Sequence, residues 1–184
     1  MGRYVIGVTG ASGAIYADRL LAHLKVLQQE VHLVITEMGK KVCVYEGFPE
    51  IAKRADKVYD NKDFFAAIAS GSYLHQGMVV LPCSMGTLGK MAHGIGDSLL
   101  TRAADVCLKE RRKLIIVPRE TPMGILHLRN QQILAECGAM IIPANPSFYH
   151  RPASIEDLVD TVLSRVLDHL GLEQHQVGKR WKEP

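Results

Sequence analysis

Tyr4-Val-Ile-Gly-Val-Thr-Gly-Ala-Ser-Gly-Ala-Ile-Tyr16 is the stretch that decides the fold. A short apolar run, Tyr4 to Val8, breaks into Thr9-Gly10-Ala11-Ser12-Gly13 and passes at once into a helical pattern. An apolar run bounded by turn residues reads as a buried strand. From Ala14 to Leu27 the apolar residues Ile15, Leu20, Leu21, Leu24 and Leu27 recur at helical rather than alternating spacing. The junction is a strand–turn–helix in which Gly10 and Gly13 let the backbone come close to a ligand. Free N–H groups and the dipole at the helix start make an anion site, and Ser12 adds a hydroxyl at its mouth. The spacing is G-x-x-G, neither the dinucleotide G-x-G-x-x-G nor a P-loop, since no Gly-Lys-Ser/Thr follows. By itself the turn either binds a phosphate or simply links two elements.

Outward from this stretch the same alternation repeats. Val31 to Thr36 reads as a second strand, followed by a helix from Glu37 to Glu46, with Thr36 either a ligand contact or a helix cap. Residues 47–62, with Pro49 and many charges, read as a surface excursion, and Phe64 to Ala69 as a short helix. Met78 to Leu81 is the third strand and runs into Pro82-Cys-Ser-Met-Gly-Thr87 and a helix to His93. Ser98 caps a helix to Arg112; Leu114 to Val117 is the fourth strand, ending in Pro118-Arg-Glu-Thr-Pro122. A helix from Leu126 to Cys137 stops at Gly138, and Ala139 to Ile142 is the fifth strand. The last helix, Ser154 to Leu170, opens on a capping-box pattern and ends at Gly171. Apolar strands without alternation, separated by helices, describe a doubly wound parallel sheet with helices on both faces, Rossmann-like or flavodoxin-like. One α/β domain spans residues 1–172, and the polar tail 173–184 is expected to be mobile or docked on a partner.

Composition excludes several classes. The 184 residues carry a net charge of +3 and no run of five or six basic residues, which argues against nucleic acid. The first apolar run is too short for a secretory signal, and no segment has the ~18 apolar residues a membrane span needs. Cys43, Cys83, Cys107 and Cys137 are widely spaced without C-x-x-C, which fits reduced thiols in a cytoplasmic protein. The eight histidines are scattered, so no metal site is expected.

In doubly wound sheets ligands bind beyond the carboxyl ends of the strands. The segments there supply Ser12, Thr36, Ser84 and Thr87 as hydroxyls, Arg119 as a cation, Glu120 as an ionisable group and Tyr149 as a ring with a polar tip. Together they suit an anionic, partly aromatic ligand. Arg102 and Lys109 lie seven residues apart on one helical face with Asp105 between them, so a solvated ion ladder competes with a binding role. Glu46 ends its helix, where a carboxylate opposes the dipole, and that misplacement hints at a task elsewhere.

Thr9 to Gly13, Pro82 to Thr87, Leu100-Thr-Arg-Ala-Ala-Asp105 with Leu108-Lys-Glu-Arg111, Pro118 to Pro122 and Phe148-Tyr-His-Arg-Pro152 resemble the UbiX family of flavin prenyltransferases, five blocks in order. The family was formerly described as a subunit of phenylacrylic and hydroxyarylic acid decarboxylases. The resemblance implies a homo-oligomer, a dodecamer, with FMN at a subunit interface. It implies alkylation of reduced FMN at N5 by dimethylallyl phosphate and closure onto C6, giving prenylated FMN for a UbiD-type decarboxylase. By motif, Gly10, Ala11, Ser12, Thr36, Ser84, Met85, Gly86, Thr87 and Arg119 would hold FMN, with Arg102 at the same mouth. Lys109, Tyr149 and Arg165 would hold dimethylallyl phosphate, and Ser12, Glu46 and Glu120 would handle protons and stabilise the allylic cation. Two readings compete: an FMN-dependent decarboxylase of an aromatic or cysteinyl acid, and a non-catalytic flavin carrier.

Overall fold

The computed structural model describes residues 1–181. Six parallel strands form one sheet: β1 (Arg3–Val8), β2 (Glu30–Ile35), β3 (Lys57–Tyr59), β4 (Gly77–Cys83), β5 (Lys113–Pro118) and β6 (Met140–Ile141). The helices are α1 (Ala14–Val26), α2 (Glu37–Tyr45), α3 (Met85–Ala92), α4 (Leu99–Lys109), α5 (Ile125–Glu136) and α6 (Ile155–Leu170). The strand order is β3-β2-β1-β4-β5-β6, so the winding reverses between β1 and β4. Parallel pairing holds throughout, with Tyr4 opposite Val31 on one side of β1 and Gly77 on the other.

Both faces of the sheet are buried, which is why its strands read as unbroken apolar runs. Tyr4, Ile6 and Val8 point to one layer with Leu20, Leu21 and Leu24 of α1 and Leu163 and Leu167 of α6. Val5, Met78, Val80 and Ile116 point to the other, against Leu88 of α3 and Leu99, Leu100 and Ala103 of α4. Each such fully buried leucine contributes roughly 1.5–3 kcal/mol.

The 47–62 excursion contains structure that was not expected there. Ile51–Arg54 form a 3₁₀ turn, and β3 adds a sixth strand at the sheet edge. With only three residues, of which only Tyr59 is buried, β3 offers too little apolar signal to be read as a strand. The expected helix over Phe64 to Ala69 shrinks to a 3₁₀ turn at Ala67–Ala69, with Phe65 fully exposed. The described part of the tail is not detached: His175 and Val177 are buried against the chain's own α6 layer. Residues 182–184 lie outside the described ones.

Candidate active site

At the switch point the carboxyl ends of β1, β4 and β5 are stitched together. The Thr9 hydroxyl donates to the Pro82 carbonyl at 2.7 Å and accepts from the Ser84 amide at 2.7 Å. The Arg119 amide donates to the Cys83 carbonyl, and its Nε donates to the Ser12 carbonyl at 3.1 Å. These bonds bring three separated turns to one edge.

The start of α1 is not the open anion site that the glycine turn suggested. The Glu46 carboxylate accepts from the Gly13 amide at 2.9 and 3.1 Å and from the Ala14 amide at 2.7 Å. Burial pushes this carboxyl up, but the Ser12 hydroxyl, the Ala14 and Gly13 amides and the charge of Arg119 outweigh it and leave it below its ordinary value. Glu46 is thus an ionised cap for α1, reached from the end of α2, which accounts for a carboxylate at a helix C-terminus. Ser12, Glu46 and Arg119 form one cluster, with Glu120 beside it, its Oε1 accepting from the Thr121 amide.

A candidate anion site lies one step along the edge. Thr36, Ser84 and Ser98 are the N-caps of α2, α3 and α4. All three line one open cavity of about 360 Å³ with Gly10, Gly86, Thr87, Thr101, Asn61 and Lys90. Three helix starts border one space and add their dipoles there, but the Leu99, Leu100 and Thr101 amides of α4 are taken by Asn61 and Ser98, so first-turn amides for a ligand come from α2 and α3. The cradle is close: a Cβ on Gly10 would sit 2.5 Å from Met38 Cγ, whereas at Gly86 it would meet open space. Ala11 and Met85 are buried, and Met85 packs into the core layer behind α3.

A second cavity, about 430 Å³, opens beyond β6 and includes Tyr149, Arg165, Asp168, Lys179, Arg180 and Trp181. Tyr149 and Arg165 are therefore brought together as expected. Lys109 is not with them. It ends α4 against Glu110 and beside Gly71, just before β5 begins, at the opposite edge of the sheet. From Ser98 to Lys109 the helix axis advances about 16 Å, too far for one chain to bring both ends to the same ligand. Arg102 bonds Asp105 at 2.7 Å and the Ala69 carbonyl at 3.2 Å, so only the first half of the expected ladder forms. Lys109 pairs with Glu110 instead of Asp105.

Residues absent from the sequence reading complete the picture. Asn61, from the excursion, accepts from the Leu100 amide through its side chain at 3.0 Å and from the Leu99 amide through its backbone at 2.8 Å, pinning the start of α4. Lys179 and Arg180 enter through the docked tail, and Asp168 joins them from α6. Ser98 carried a visible signal as a helix cap; Asn61 and the tail residues carried none that pattern could separate from ordinary surface.

The flavoprotein family model matches residues 2–167. A flavin prenyltransferase of Lactiplantibacillus plantarum, LpdB, is 47% identical over 186 residues, covering 99% of both chains. The chain belongs to the flavin prenyltransferase family of flavoproteins. Among solved structures, AnUbiX (PadA1), in complex with FMN and dimethylallyl pyrophosphate, superposes with a TM-score of 0.95 at 40% identity, over 99% of this chain and 98% of that one. A dodecameric FMN-dependent UbiX-like decarboxylase from Escherichia coli O157:H7 gives 0.94 at 40% identity, over 98% and 100%. No described helix is long and apolar enough to cross a membrane.

Proposed function

We propose that this chain makes prenylated FMN from reduced FMN and dimethylallyl phosphate. The observation that carries the reading is the presence of two cavities, one bordered by the ends of β1, β2 and β4 and one beyond β6. One is lined by hydroxyls and helix starts and the other by side-chain cations. A plain flavin carrier needs only the first. The cavity between Thr36, Ser84 and Ser98 suits the FMN phosphate, because hydroxyls and amides at helix starts line it together with Lys90, which pairs with Asp97. Gly10, Ala11, Ser12, Met85, Gly86, Thr87 and Arg119 would line the rest of the flavin path.

When bound, reduced FMN supplies the nucleophilic ring that takes up the five-carbon group. An allylic phosphate leaves through a carbocation-like state, so the chain must grip the departing phosphate with cations and keep water out. Arg165 and Tyr149 take that task in the second cavity. Lys109, at the far end of α4, and Arg102 on the same face of that helix would reach the site of a neighbouring copy, which is how a homo-oligomer completes it. The ionised Glu46 accepts from the Ser12 hydroxyl, so a proton taken up at Ser12 Oγ would be relayed to Glu46 as the hydroxyl's own proton moves across. Glu120, beside Arg119, would receive the proton released on ring closure.

The product would serve a UbiD-type decarboxylase, and the chain itself is not the decarboxylase. All four cysteines are free, three of them buried, which supports a reducing cytoplasmic setting. Anaerobic incubation with reduced FMN and dimethylallyl phosphate should yield a flavin heavier by one five-carbon unit, read by mass spectrometry. An unmodified flavin would refute the transfer reading and leave a carrier. Carbon dioxide released from an aromatic acid by this chain and FMN alone would favour a decarboxylase.

A further inference from the structure

The C-terminal tail has no place in the motifs, yet it forms a wall of the second cavity. Residues beyond α6 turn at Gly171 and run back along the helix. Three bonded groups hold them. The Arg180 guanidinium forks onto Asp168, at 2.6 Å to Oδ1 and 3.2 Å to Oδ2, and also reaches the Glu173 carbonyl at 3.1 Å. His175 Nδ1 accepts from the Val177 amide at 3.0 Å, so its proton sits on Nε2, which donates between Asp168 Oδ1 and the Ser164 carbonyl, both at 3.1 Å. Tyr149 then donates its hydroxyl to the Lys179 carbonyl at 3.1 Å, and its ring meets Trp181 edge-on at 5.2 Å.

Chain ends are ordinarily frayed, and ordering one costs conformational entropy. Here the anchors are well buried: the His175 side chain is 1% exposed and that of Asp168 15%. What the latch delivers is Lys179. Lys179 lines the cavity that Arg165 also lines, and among the described residues its ammonium pairs with no carboxylate. Asp168 meanwhile accepts from Arg165 as well, at 3.4 Å, so one carboxylate touches both the helix cation and the tail.

We propose that Asp168 is a positioning residue that latches the tail, and that the latched tail presents Lys179 to the anionic end of the allylic substrate as an affinity-determining cation. This rests on the prenyltransferase reading for the identity of the substrate, but not for the latch itself. Trp181 is the only tryptophan of the chain, so its fluorescence reports whether the tail is docked.

The experiment uses the full-length, FMN-loaded protein and three variants. Asp168→Asn should at least double acrylamide quenching of Trp181 and raise KM for dimethylallyl phosphate about ten-fold, with kcat within two-fold and FMN affinity unchanged. Asp168→Glu keeps the carboxylate and should recover most of both. Lys179→Ala should raise KM by about the same factor while quenching stays at the wild-type level, because the tail remains latched. Unchanged quenching in Asp168→Asn overturns the latch, and unchanged KM in Lys179→Ala overturns the cation's role. Should Asp168→Asn also lose FMN, Lys179→Ala, exposed and unpaired, decides the matter. If the wild-type protein transfers no prenyl group, the functional reading fails on its own. Trp181 quenching then still judges the latch, and direct titration of wild type and Lys179→Ala with dimethylallyl phosphate still judges Lys179, equal affinities overturning its role.

Discussion

Replacing Glu46 with glutamine tests the claim that α1 is capped by a carboxylate from α2. The carboxylate makes bonds to the Gly13 and Ala14 amides and accepts from Ser12. A hydrogen bond to a charged acceptor contributes about 1.5–3 kcal/mol against about 0.5–1.5 for a neutral one. Losing the charge across two amides should therefore cost about 2 kcal/mol, with the helix dipole accounting for part of it. For a chain of this size that lowers Tm by about 4–8 °C. The pH dependence has a definite sign. The folded carboxyl titrates below its unfolded value, so its contribution is full above about pH 4.3 and fades as pH falls through the folded value. Thermal melts of wild type and Glu46→Gln at equal protein concentration should thus differ by a constant gap from pH 7 to 5, and the gap should shrink below pH 4. The opposite account, an exposed carboxylate merely opposing the α2 dipole, makes the variant slightly more stable. A Tm that rises, or a gap that persists unchanged at pH 3.5, refutes the capping argument.

Gly10→Val should abolish FMN binding measured by flavin fluorescence, because its Cβ alone would stand 2.5 Å from Met38 Cγ, beside the cavity. Retained affinity would remove Gly10 from the flavin path. Lys109→Ala and Arg165→Ala should each bind FMN normally but lose prenyl transfer by about one to two decades, the worth of one charged hydrogen bond realised in the transition state. Mixed oligomers of the two inactive variants should regain part of the activity, since a site with Arg165 from one copy and Lys109 from another escapes both lesions; no recovery would place both groups in one chain's site.

The sheet was legible because burial on both faces removes the ambiguity of pattern: Val5 and Ile6 face opposite layers, yet both must be apolar. Glycine and helix caps then marked the turns, as Ser98, Ser154 and Gly171 show. The losses fell where local signal is short. β3 is held by its pairing with His32 to Val34, a long-range fact that three residues cannot announce.

The site was legible as a set of turns and illegible as a geometry. Gly10 to Gly13 looked like a phosphate turn because pattern sees the amides of α1 but not what already occupies them. Only the fold brings Glu46, thirty-three residues after Gly13, onto those amides. Once they are capped by an internal anion, a second anion there would face like charge, which is why the phosphate is proposed at the cavity bordered by the other helix starts. The same blindness separated Lys109 from Arg165. Seven-residue spacing correctly put Arg102 and Lys109 on one helix face, but a face runs the length of the helix, and α4 crosses from one sheet edge to the other. Under the proposed function, a residue at its far end acts in catalysis only beside another copy's cavity, which would tie assembly and chemistry together by the length of one helix.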